Sequence, residues 1–150
     1  MALRVLIVTG TDKNELDVEQ SGHGNDFCKS DEPYDIQFVL AGDILSGAEF
    51  CPIDGTPPGF DWVDLPPPLV FPMRKLVGKR RLKLLDVHPS KLSEGMWRYQ
   101  LSVTKGKRLF QTTFDATPLV IPEDPCVGTR DGDDDLLYTR AINNPIIINR

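Results

Sequence analysis

The sequence is short of histidine, cysteine and long apolar runs, and each shortage removes a class of protein. Two histidines, His23 and His88, in 150 residues leave little scope for imidazole catalysis or a histidine-rich metal cage. The phosphate-binding fingerprints G-x-G-x-x-G and G-x-x-x-x-G-K-[ST] are both missing. The opening MALRVLIVTG runs into Thr9-Gly10-Thr11-Asp12 as a mononucleotide fold would begin, but no amphipathic helix follows. The apolar run Val5–Val8 is too short for a signal-peptide core or a membrane span. Three cysteines (Cys28, Cys51 and Cys126) form no close pair, and the odd count predicts reduced thiols in a cytoplasm. Fixed-period repeats and heptads are also lacking.

What is present is β-structure punctuated by proline. The 13 prolines exceed the roughly seven or eight expected of an average chain at about 5%, which disfavours long helices. The clearest pattern is WRYQLSVTKGKRLFQTTFDATPLVI, residues 97–121. Trp97, Tyr99, Leu101 and Val103 alternate with Arg98, Gln100, Ser102 and Thr104, which puts the two sets on opposite faces of a sheet. Lys105-Gly106 breaks the pattern, and Leu109, Phe110 and Phe114 resume it, so the stretch predicts a β-hairpin. Further strands are expected at 2–9, 34–40, 76–87, 136–142 and 146–148. Residues 10–33 and 122–135 read as long loops, the first with a helical turn at 14–19. Residues 43–72 carry most of the prolines, and Pro66-Pro67-Pro68 should form polyproline II. Phe50, Phe60, Trp62 and Phe71 should pin that excursion to the core and bury it.

A length of 150 residues fits a single domain, 1–150. Seven or so short strands without a long helix predict an all-β fold, a two-layer antiparallel β-sandwich with long proline-rich loops. A barrel is the alternative, and an α/β fold is the competitor resting on the amino-terminal strand alone.

Four groups of residues carry candidate chemistry. His23, Asp26 and Cys28 lie within six residues and could ligate a metal or pair as nucleophile and base, but only His88, Cys51 and Cys126 remain to complete such a site. Asp131, Asp133 and Asp135 open like a calcium loop, yet Leu136 stands where an EF-hand needs glycine and Ile142 where it needs glutamate. No cofactor is expected, calcium at this acidic loop being the exception to test. Arg74, Lys75, Lys79, Arg80, Arg81 and Lys83 form a basic run that could meet an acidic partner, including the acidic loop of another copy. The net charge of −5 and the poor aromatic interleaving argue against nucleic acid. The prolines near Trp62 could be read by a partner's aromatic groove, but the surrounding aromatics argue for burial instead.

The expectation is therefore a non-catalytic interaction or assembly module. It would present loops 10–33 and 122–135 to a protein partner or to itself, with no membrane involved. The alternatives are a small hydrolase, with His23 or His88 as base beside Asp26, Asp124 or Asp131, and a calcium- or ligand-binding sandwich.

Overall fold

Trp97, Tyr99, Leu101 and Val103 are all buried, as their alternation requires, and the strand that carries them organises the sheet. The computed structural model describes residues 1–19, 25–113, 126 and 145–150. Among the described residues eleven strands follow in chain order. They are β1 (Ala2–Gly10), β2 (Glu15–Val18), β3 (Asp26–Phe27), β4 (Tyr34–Leu40), β5 (Glu49–Phe50) and β6 (Phe60–Trp62). Then come β7 (Met73–Leu76), β8 (Arg81–Asp86), β9 (Gly95–Lys105), β10 (Arg108–Thr112) and β11 (Ile146–Asn149). A short 3-10 turn, Lys91–Ser93, leads into β9.

Strand β9 is paired along both edges. Odd-numbered residues point their backbone groups one way: Leu101 N–H donates to Thr112 Oγ1 and Tyr99 N–H to Pro145 O. β10 and β11 therefore share that edge. Even-numbered residues serve the other edge, where Ser102 N–H donates to Gly59 O and Cys51 N–H to Ser102 O. β5 and β6 lie there. Two glycines permit this crowding. Gly106, at φ 60°, makes the β9–β10 turn. A Cβ on Gly59 would sit 2.2 Å from the Cys51 carbonyl oxygen, so only glycine lets the segment before β6 lie against β9.

From β9 the sheet continues through β10, β2, β1, β4 and β8 to β7. A flat sheet would hold β4 and β9 four spacings apart, about 19 Å. Yet the Phe38 and Tyr99 rings are 5.3 Å apart and Phe60 stacks on Tyr99 at the same distance. The sheet must curl to bring its inner faces together. Phe50 N–H donates to Lys79 O in the β7–β8 turn, which completes a hydrogen-bonded circuit back to β9. Leu6, Leu16, Ile36, Leu82 and Phe110 join these aromatics in one core.

The all-β expectation holds, but two details are corrected. The sheet is mixed, because β1/β4, β2/β10 and β3/β11 pair parallel. A second, separate layer is not found among the described residues, whose strands form one 11-stranded sheet. Residues 10–33 are not all loop, since β2 and β3 fall inside them and the helical turn expected at 14–19 is mostly β2. The strand expected at 136–142, Phe114, and nearly all of loop 122–135 lie outside the described residues.

The expectation of three reduced thiols is also corrected. Cys28 and Cys126 form a disulfide across 98 residues of sequence, and Cys51 remains a buried free thiol. Thiol titration in denaturant without reductant should therefore count one group per chain, and three would contradict the pairing. Reduction should cost about 2–4 kcal/mol of stability by releasing a long loop in the unfolded chain.

Candidate functional site

Among the described residues, two places combine unusual side-chain chemistry with defined geometry. One is a buried polar cluster where β8, the 3-10 turn and the end of β11 meet. The other is the segment joining β6 to β7.

The cluster arises from strand parity. Leu82, Leu84 and Asp86 occupy the inward face of β8, so a carboxyl group stands where the pattern calls for an apolar residue. Asn149 Nδ2 meets it, donating to Asp86 Oδ1 at 2.9 Å and to Ser93 O at 3.1 Å. Asp86 Oδ2 and Asn149 Oδ1 are buried without a hydrogen-bond partner. Burial pushes the Asp86 carboxyl up to about 7, against a partial offset from the Asn149 hydrogen bond.

His88 lies beside this pair. Its Nε2 is 2.8 Å from the main-chain oxygen of Arg150, which can only accept, so Nε2 carries the proton. Burial, the leading cause, lowers the imidazole pKa, and Nδ1 is then an acceptor 2.6 Å from Ser93 Oγ. The Ser93 hydroxyl has one proton. Its other acceptor, Ser90 O at 2.8 Å, already receives the Ser93 N–H, so assigning the hydroxyl proton to His88 leaves neither His88 Nδ1 nor Ser90 O without a donor. The contact has the hydrogen bond of a nucleophile–base pair. Both residues are buried, however, and His88 is steadied by a main-chain oxygen while Asp86 serves Asn149. The arrangement ties the β8–β9 connection to the end of β11. Arg150 extends the tie, with Nε 2.8 Å from Asp26 Oδ1. At the rim, Lys29 bridges to Glu94 Oε2 at 2.6 Å and holds that carboxyl below its usual range.

The β6–β7 segment is built differently. Asp64 is clamped by Arg98 of β9. The guanidinium gives Nε to Oδ2 at 2.8 Å and an Nη2 to Oδ1 at 3.0 Å, and the Arg98 N–H adds a bond to Oδ2 at 3.0 Å. The Arg98 hydrogen bonds keep the Asp64 carboxyl below the usual carboxylate range. Val63 and Asp64 N–H groups both donate to Arg98 O. At the far end Val70 is 5% exposed and its carbonyl accepts from Val87 N–H. Phe71 packs on Trp62 and Trp97, with ring centroids 4.7 and 5.4 Å apart. Between these anchors stands Leu65-Pro66-Pro67-Pro68-Leu69. Leu65 is 85% exposed and Leu69 83% exposed, and Leu69 takes a left-handed φ of 74°. Burial was expected for this excursion. It holds for Phe50 and Phe60, holds in part for Trp62 and Phe71, which pack half-buried against the core, and fails for the leucines between them.

The basic run is dispersed by β-parity and by internal contacts. Arg80 turns inward, and its guanidinium donates to the carbonyls of Leu45 (2.7 Å), Ala48 (2.8 Å) and Leu40 (3.2 Å). Lys83 pairs with Asp35 at 3.3 Å, Arg81 donates to Gln37 Oε1 at 2.5 Å, and Lys79 lies 3.8 Å from Glu49. Arg74 and Lys75 remain exposed on β7, with Arg74 over the Phe60 ring at 6.0 Å.

Of the other candidates, Asp26 and Cys28 are engaged by Arg150 and Cys126. His23, Asp124, Asp131, Asp133 and Asp135 lie outside the described residues. Among the described residues no three histidine, cysteine, aspartate or glutamate side chains converge as a metal site. Sequence reasoning missed Asp86, Ser93 and Asn149, although a carboxylate at the inward position after Leu82 and Leu84 was a readable signal. Comparison with known protein families, with curated proteins and with solved structures found no match.

The two buried titrations act with opposite sign. Asp86 holds its proton more tightly when folded than the unfolded value of about 3.9, so its contribution is full below about pH 4 and is lost as pH rises to about 7. His88, lowered in the fold, contributes above its unfolded value of about 6.5 and loses stability as pH falls below it. Asp86→Asn should remove the first effect alone, making the protein about 1–3 kcal/mol more stable than wild type at pH 8 with a shrinking margin toward pH 4. A constant margin across that range would refute the assignment. Arg80→Met should cost about 2–3 kcal/mol in urea denaturation by removing the three hydrogen bonds that its guanidinium gives to main-chain carbonyls, while Lys75→Met should stay within about 0.5 kcal/mol.

Proposed function

We propose that the protein is a non-catalytic interaction module whose contact element is the segment joining β6 to β7. One observation carries this reading: two leucines are held almost fully in solvent on a segment fixed at both ends. Exposed large apolar side chains scattered singly are ordinary, but a contiguous apolar projection on a fixed stem is a docking feature. Fixing the stem matters because a partner then bears little of the cost of ordering the loop. The groups with catalytic potential are spent inside the fold, which sets the hydrolase reading behind this one. The basic side chains that stay outward, Arg74 and Lys75, would steer an acidic partner rather than anchor it.

The compartment follows from the cysteines. A cytoplasmic location rested on reduced thiols, and a disulfide joining Cys28 to Cys126 instead favours an oxidising compartment. Among the described residues no helix is long and apolar enough to cross a membrane.

Two measurements test the module. Leu65→Ser with Leu69→Ser should leave unfolding stability within about 0.5 kcal/mol of wild type, since the side chains touch little of their own domain. A photoreactive leucine analogue at position 65 should then give a cross-link in extracts of the source cells. Excess wild-type protein should compete the cross-link away, and the double serine variant should not. A cross-link that neither competes, or none, would refute the reading. Light scattering on a size-exclusion column at low and high salt identifies the case in which the partner is a second copy.

A further inference from the structure

The geometry points to the kind of partner: we propose that Leu65–Pro68 is a preformed polyproline II ligand for a domain with an aromatic-lined groove. This rests on the reading of the β6–β7 segment as the contact element and gives it a chemistry. Proline fixes its own φ near −65°, and a residue before proline is driven to extended ψ. Pro66 and Pro67 both precede proline and are held to polyproline II by local sterics alone, and Leu65, also before proline, is held extended. The helix has three residues per turn and therefore three ridges. Pro66 is half-buried and faces the domain. The ridge carrying Leu65 and Pro68, about 9 Å apart along the axis, and the ridge carrying Pro67 both face solvent.

Two exposed ridges are what a groove between aromatic rings receives. The backbone makes no internal hydrogen bonds in this conformation, so its carbonyls stay available to donors at the groove rim. The run also ends abruptly. Leu69 at φ 74° turns the chain back toward buried Val70, and a left-handed leucine persists only where its surroundings hold it. The Asp64–Arg98 clamp and the Val70–Phe71 anchor are those surroundings. Arg74 and Lys75, exposed on β7, favour a groove with an acidic rim. The footprint is a handful of residues, so the contact belongs with small transient interfaces.

The test uses the whole oxidised chain and purified polyproline-reading domains of the SH3, WW and EVH1 types, with the intrinsic tryptophan fluorescence of each domain's groove as readout. The protein should bind at least one of the three. Pro67→Ala with Pro68→Ala should weaken that binding about tenfold or more, and Leu65→Asp should abolish it, while Leu3→Asp on the far strand β1 should leave it unchanged. No binding by any class, or equal binding by the double alanine variant, would overturn the proposal. So would binding to anionic phospholipid vesicles that is lost in Leu65→Asp but retained in the double alanine variant, since a lipid surface reads apolarity and not the proline helix. The photo-cross-link at position 65 separates the two levels. If it is competed equally by wild-type and by the double alanine variant, the contact element stands and the polyproline partner falls. If it is not competed at all, both fall.

Discussion

Strand β9 is hydrogen-bonded on both edges over most of its length, and the other strands take their places from that. One edge receives β11 and β10, and the other receives β6 and β5, with odd and even residues serving opposite sides. A strand so engaged cannot slip register without breaking four pairings and turning Trp97, Tyr99, Leu101 and Val103 out of the core. It also fixes Arg98, whose outward position between Trp97 and Tyr99 is what allows it to grip Asp64. The β6–β7 segment is thus referenced to a strand that is paired along both edges.

The division of labour between inside and outside runs against first intuition. The residues with reactive potential (Asp86, His88 and Ser93) are buried and joined to one another, to Asn149 and to the backbone of Arg150. They specify where β11 docks, since an apolar end to that strand would leave the Asp86 carboxyl wholly unpaired in the core. Leu65 and Leu69, with no chemistry beyond apolarity, are presented to solvent. Hydrophobic burial alone would draw them inward, and the proline run with the two anchors prevents it.

Much of the fold was legible. Period-two alternation located β9, β10 and β4 because half-buried strands must alternate, and the triple isoleucine located β11 because a frayed tail has no use for it. β2 was misread although Glu15, Leu16, Asp17 and Val18 alternate; four residues are too few to decide between strand and turn without knowing that β1 and β10 flank them. Two-residue β3 and β5 exist only through their partners. Parallel pairing of β1 with β4 and the disulfide across 98 residues are long-range facts that local spacing does not encode. The same limit governed the site. Prolines 66–68 announced polyproline II, but their exposure depends on Arg98, 34 residues from its partner Asp64. Asp86 was the overlooked clue, a charge at an inward position of an otherwise regular strand.

The central claim is that the β6–β7 segment is held rigid while its leucines face solvent, and backbone ¹⁵N relaxation tests it most directly. Leu65 and Leu69 each retain an amide despite the intervening prolines. The account predicts order parameters for both near the rigid value of about 0.85, matching Tyr99, and a fall at Leu65 when Arg98 is replaced by alanine. Values below about 0.6 in the wild-type protein would show a floppy loop and contradict the claim.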